Sequence, residues 1–224
     1  MWDYRVRQSI AIMDLRRLRD EDPFAKDARP VVGFDPVSGI LAVATKPHIV
    51  RLFSIDDMSF PFAIFNQLFQ DQLPTHEDLN SGFTHLKFSP NGKDLILATN
   101  RKRVYCLDAF DGTLRWKSDV QSVPGFGTEK PSALHRNEEQ WGVDISADGQ
   151  YVMLGDRSYN LAAYSVKDGR FVARVQGGGK HRGTFANRNK FIDVVLWNPT
   201  FTMFAATQGN EMVCAFLVDF VRCG

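Results

Sequence analysis

The chain has 224 residues, 44% hydrophobic and 24% charged, enough apolar material for a globular core. A net charge of +1 leaves no global field to draw it onto nucleic acid or an anionic membrane. Three cysteines are too few for a disulfide framework, which points to a reducing compartment, and no apolar run approaches the roughly 18 to 20 residues of a membrane span.

In chain order, Met1-Trp2-Asp3 reads as the tail of a strand carrying a Trp-Asp dipeptide. Ile10 to Asp20 could pass for a short helix, but its place favours an outer strand followed by a loop. One phrase is then written four times: an apolar strand end, an Asp/Ser/Asn turn, usually with Pro or Gly, and a second apolar strand. The copies are Phe34 to Thr45, Phe88 to Thr99, Ile145 to Asp156 and Trp197 to Gln208. Their anchors Phe34, Phe88, Ile145 and Trp197 lie 54, 57 and 52 residues apart. Such a period marks a repeat architecture.

The clearest unit begins with Gly82 to Ser89. Pro90-Asn91-Gly92 follows, and Asn-Gly is a strong hairpin signal. Asp94 to Asn100 is a near-continuous apolar strand, as expected where neighbours cover both faces. Arg103 to Phe110 is the third strand, and Asp111-Gly112 turns it into Thr113 to Asp119. Asp56-Asp57 and Asp168-Gly169 make the same turn elsewhere. Long polar connections run over Gln72 to Ser81, Gln121 to Gln140 and Gly177 to Lys190. The fold class is therefore an all-β propeller of four-stranded blades. Residues 1–20 end one blade, 31–70, 82–119 and 141–176 are blades, and 191–220 is an incomplete last one. A chain that starts inside a blade and ends one strand short of another reads as the C-terminal four blades or so of a longer propeller, the alternative being a true four-bladed protein.

In a propeller the second-to-third strand turns and the between-blade connections share one face. On it fall Lys46, Arg101, Lys102, Arg157, Lys180, His181, Arg182, Arg188 and Lys190. The opposite face is assigned Asp35, Asp56, Asp57, Asp111, Asp148 and Asp168. A basic face suits a phosphorylated or acidic peptide, with Arg as bidentate phosphate partner; the alternative is that these loop charges are only solvated. Asp3, Asp108, Asp111 and Asp168 are expected to close turns through hydrogen bonds to backbone.

No chemistry-bearing constellation competes. Gly177-Gly178-Gly179-Lys180 fails the spacing of a phosphate loop. His48, His76, His85, His135 and His181 form no metal spacing with Cys106, Cys214 or Cys223, and no cofactor is implied. Cys106 reads as a small buried hydrophobe. The inner strands offer Thr84, His85, Lys87, Asp144 and Asp193, which make no recognisable catalytic set, so the chain reads as a non-enzyme. Phe60, Phe62 and Phe65 are placed on an outer strand.

The run Gly82 to Gly112, with its Leu107-Asp108-Ala109-Phe110 stretch, resembles the Swd2-type WD-repeat family. Met1 to Arg5, Phe34 to Ala44, Val50 to Phe65, Gly178 to Gly183 and Trp197 to Ala206 resemble it in family order. The resemblance implies a seven-bladed WD-repeat propeller acting as a nuclear adaptor. Its implied partners are protein subunits: COMPASS-type histone methyltransferases, the PNUTS–protein phosphatase 1 complex and the cleavage and polyadenylation machinery, linked to the phosphorylated RNA polymerase II tail. No direct nucleic-acid or membrane contact is implied. Two insertions, Gln121 to Gln140 and Thr184 to Lys190, depart from the family pattern, as do Ser165-Val166 and Leu217-Val218 where Trp-Asp would stand. An adaptor of another complex, such as a substrate receptor of a ubiquitin ligase, would share the fold.

Overall fold

A computed structural model describes residues 2–3, 8–9, 30–35, 37–46, 49–66, 82–100, 103–119, 142–155, 160–176, 192–201, 203–208 and 211–216. Among these there are seventeen strands and no helix. A short hairpin pairs β1 (Trp2–Asp3) with β2 (Gln8–Ser9). The first sheet holds β3 (Val31–Phe34), β4 (Ile40–Lys46), β5 (Ile49–Ser54) and β6 (Ala63–Phe65). The second holds β7 (Phe83–Phe88), β8 (Asp94–Thr99), β9 (Arg103–Asp108) and β10 (Leu114–Asp119). The third holds β11 (Val143–Ile145), β12 (Tyr151–Gly155), β13 (Asn160–Ser165) and β14 (Phe171–Gln176). In the fourth are β15 (Ile192–Trp197), β16 (Met203–Gln208) and β17 (Glu211–Phe216). Each strand pairs antiparallel with its sequence neighbour, so every sheet is a meander.

The apolar runs are explained by period-2 alternation between two interfaces. All six residues of β8 are buried. Leu95 and Leu97 face the first sheet, meeting Ala42, Ala44, Val50, Leu52 and Phe65. Ile96 and Ala98 face the third, meeting Val143, Val152, Leu154, Ala162 and Tyr164. In the third sheet Met153, Leu161 and Ala163 turn the other way, against Val195, Phe204 and Ala206. Each fully buried Leu or Ile contributes about 1.5–3 kcal/mol, so the sheet-to-sheet seams hold most of the stabilisation.

The first-to-second strand turns repeat one chemistry. Asp35, Ser89, Ser146 and Asn198 follow the four anchors. Asp35 Oδ1 accepts from Val37 N–H at 2.9 Å, Ser89 Oγ from Asp94 N–H at 2.9 Å, Ser146 Oγ from Tyr151 N–H at 2.9 Å and Asn198 Oδ1 from Thr200 N–H at 2.8 Å. A short polar side chain that bonds its own turn is what selects Asp, Ser and Asn there. Asp35 is buried, so it leaves the set of surface acids expected on this face.

The first strands of successive sheets meet closely enough to demand glycine. A Cβ on Gly33 would clash with Leu86 of β7, and one on Gly142, just before β11, would lie 2.6 Å from Val195 N of β15. At the two ends of the array the far faces of the first strands are uncovered: Val32 and Phe34 on β3, Val194 and Leu196 on β15 are exposed. Phe60 and Phe62 are not strand residues as expected; β6 begins at Ala63, and only Phe65 turns inward. The physical reason is Pro61, which lacks the N–H an outer-strand ladder needs.

Candidate functional site

The chain reverses between strands, so the β3–β4, β7–β8, β11–β12 and β15–β16 turns share a face with the β5–β6, β9–β10 and β13–β14 turns. The β4–β5, β8–β9, β12–β13 and β16–β17 turns lie on the opposite, connection face. Lys46 ends β4 on the connection face. Arg101, Lys102, Arg157, Lys180, His181, Arg182, Arg188 and Lys190 lie outside the described residues, as do the three long connections.

The turn face is better defined, and it is not purely acidic. Asp56, Asp57, Asp111, Asp148 and Asp168 are exposed there, and so are Lys93, Lys167 and Arg170. The expected turn closures are present at Asp108, Asp111 and Asp168, and the Asp3 side chain lies outside the described residues. Asp108 Oδ1 accepts from Phe110 N–H at 2.8 Å, Asp111 Oδ1 from Thr113 N–H at 2.8 Å and Asp168 Oδ1 from Arg170 N–H at 3.2 Å. Arg115, unremarked in the sequence, bonds Asp94 at 2.5 Å and Asp108 at 2.6 Å. That guanidinium holds the Asp108 carboxyl below the usual carboxylate range. Cys106 lies beneath this network, and burial, with Asp94 adding to it, pushes its thiol up to about 12. It is a packing residue and no nucleophile at neutral pH.

On the inner strands the structure joins two of the residues that the sequence left scattered. Lys87 Nζ of β7 bonds Asp144 Oδ1 of β11 at 2.7 Å. Asp144 Oδ2 accepts from Trp197 N–H of β15 at 2.6 Å. One carboxylate thus links the first strands of three successive sheets. His85, two residues before Lys87, is partly buried, and its buried Nδ1 has no hydrogen-bond partner among the described residues. Thr84 Oγ1 donates to the Ala98 carbonyl at 3.3 Å, and the Asp193 side chain lies outside the described residues. The arrangement ties strands together. We expect Asp144→Asn to destabilise the fold by about 1–2 kcal/mol, since Lys87 is partly exposed and its ion pair is screened. Equilibrium urea unfolding measures it, and an unchanged midpoint would show that the link carries no stability. Among the described residues no group of His, Cys, Asp or Glu could hold a metal ion.

The architecture is that of a partial β-propeller, and such a fold presents partners with faces and rims. No protein-family model matches the sequence. Two curated proteins are similar along most of it. One is "WD repeat-containing protein 82" of Drosophila melanogaster, 22% identical over 204 residues, covering 91% of this chain and 55% of that protein. The other is "Protein ANTHESIS POMOTING FACTOR 1" of Arabidopsis thaliana, 25% identical over 212 residues, covering 93% of this chain and 50% of that protein. The chain spans about half the length of the curated relatives it matches. Likeness to a WD-repeat protein, together with the meander sheets, makes the fold a partial WD-repeat β-propeller.

Proposed function

We propose that this chain is a non-catalytic, Swd2-like WD-repeat adaptor of nuclear chromatin and transcription complexes. The observation that carries the reading is the extent of the likeness: more than nine-tenths of the chain aligns with both an animal and a plant protein. The family-like segments also follow one another in family order. The complexes in view are histone methyltransferase, PNUTS–phosphatase and 3′-end processing assemblies that track RNA polymerase II. In this reading the exposed Val32, Phe34, Val194 and Leu196 are covered by neighbouring blades of a seven-bladed ring.

The test is mass spectrometry of the protein purified from its own cells through a C-terminal tag. Methyltransferase, phosphatase or polyadenylation subunits among the co-purified proteins, and peptides from further blades, are the expected result. Subunits of an unrelated complex, such as a ubiquitin ligase, would reduce the resemblance to a shared fold.

The connection face supplies a second measurement. Lys46, Arg101, Lys102, Arg157, Lys180, Arg182, Arg188 and Lys190 are proposed to receive a phosphorylated acidic tail. Reversing Arg101, Lys102 and Arg157 to Glu is expected to weaken a phosphoserine heptad peptide by about ten-fold or more at low salt. Unchanged affinity would remove the basic face from the reading.

A further inference from the structure

Two outer turns of this molecule have the same backbone and different tips. In the β9–β10 turn Gly112 N–H donates to the Asp108 carbonyl at 3.0 Å, and in the β13–β14 turn Gly169 N–H donates to the Ser165 carbonyl at 2.9 Å. Both glycines are left-handed, with φ of 76° and 68°. Two residues before the glycine stands Phe110 in one turn and Lys167 in the other. Lysine serves the turn as well as phenylalanine does, so the backbone does not call for an aromatic ring. Phe110 is nonetheless 92% exposed, the most solvent-open large apolar side chain among the described residues.

Phe110 has company across the seam between the first and second sheets. In the β5–β6 connection Phe60 is 79% and Phe62 58% exposed. That connection is ordered: Phe62 N–H donates to the Leu52 carbonyl at 2.9 Å, and Ser59 N–H to Asp57 Oδ1 at 2.9 Å. It leads into β6, whose Phe65 ring occupies the space where a Cβ on Gly112 of the β9–β10 turn would fall, so the two turns belong to blades in contact. Three rings therefore stand on the outer turns of two neighbouring blades. Single exposed apolar residues are ordinary, but rigid aromatics gathered on adjacent turns are the composition of an interface.

The two turns themselves carry charges of one sign, with Lys93, whose carbonyl accepts from Ala109 N–H at 3.0 Å, as the basic residue beside them. Ile55 to Phe65 contains Asp56 and Asp57 and no basic residue, and Ala109 to Thr113 contains Asp111 and no basic residue. The base nearest in sequence, Arg115, is taken up by Asp94 and Asp108. Hydrogen bonds from Ser59 hold the Asp57 carboxyl below the usual carboxylate range, so it is ionised at neutral pH. Three carboxylates against one neighbouring lysine disfavour nucleic acid, an anionic membrane and a phosphorylated peptide here. A cationic ligand with large apolar side chains is complementary.

We propose that Phe60, Phe62 and Phe110, with Asp56, Asp57 and Asp111, form a docking surface for a basic linear peptide segment whose apolar side chains pack on the three rings. It lies on the face opposite the basic loops and does not depend on the phosphopeptide reading of that face.

The probe is a fluorescein-labelled peptide of three Arg-Leu-Lys-Phe repeats, titrated against the full chain purified from its own cells. Two control peptides replace its basic residues by Glu or its apolar residues by Ser. Phe110→Lys reproduces the residue the third sheet carries in the same turn, so it removes the ring and keeps the fold. That variant, and Phe60→Ser with Phe62→Ser, are each expected to weaken binding by about five-fold or more, as loss of an anchor residue does. Asp56→Lys with Asp57→Lys is expected to weaken it by a similar factor and to flatten its salt dependence. Equal binding by the parent and all three variants would overturn the proposal, and so would equal binding of the Glu peptide. Sedimentation supplies the remaining arm: if Phe110→Lys abolishes self-association and leaves peptide binding unchanged, the surface belongs to a second copy of this chain and the proposal fails.

Discussion

Lowering the pH from 7.5 to 5 is expected to remove about 2 kcal/mol of stability through His85 alone. Burial, and to a lesser degree the adjacent Lys87, push its imidazole from the ordinary 6.5 down to about 4, with Asp144 opposing. The folded-state value is depressed, so between those two values the unfolded chain binds the proton that the folded chain refuses. The contribution of the neutral ring is complete above about pH 6.5 and is lost as pH falls toward 4; below 4 this group adds no further loss. Urea unfolding of the parent and of His85→Gln at both pH values checks it. The parent should lose about 2 kcal/mol more than the variant, whose amide does not titrate. Equal losses would show that carboxylates elsewhere, and not His85, set the acid response.

Trp116→Ala is expected to destabilise by about 3–5 kcal/mol, the range for removing a buried tryptophan. The indole is buried between the second and third sheets. Its Nε1–H donates to the Val166 carbonyl at 2.5 Å, and its ring lies 2.6 Å from where a Cβ on Gly169 would sit. Trp116→Phe keeps most of the ring contact and loses the hydrogen bond, so its loss should be nearer 1–2 kcal/mol, about the value of that bond and a small cavity. Equal losses for the two variants would assign the seam's strength to the hydrogen bond and not to packing.

The repeat was legible because its signals are local. Asp35, Ser89, Ser146 and Asn198 each bond their own turn, no more than five residues on, so a short window carries the information. The apolar runs of β4, β8 and β12 announce burial on both faces. Asp108, Asp111 and Asp168 close turns for the same short-range reason. What stayed hidden is long-range. Lys87 and Asp144 occupy the same place in successive repeats, 57 residues apart, and nothing near either one marks the pairing. Arg115 was passed over because its partners sit on two other strands. Phe60 and Phe62 misled because spacing alone puts them in line with Phe65, while Pro61 breaks the ladder and leaves them at the surface. The proposed basic residues fall, apart from Lys46, outside the described residues, so their grouping still rests on topology.

The double use of β8 also limits how this gene can change length. Leu95 and Leu97 serve one seam, and Ile96 and Ala98 serve the next. Deleting one codon within that strand would exchange the two sets and mismatch both seams at once. Deletion of two codons would keep the faces and shorten the strand. The connections are under no such rule. The unequal anchor spacings of 54, 57 and 52 residues fit this difference, since connections tolerate changes of length that paired strands do not.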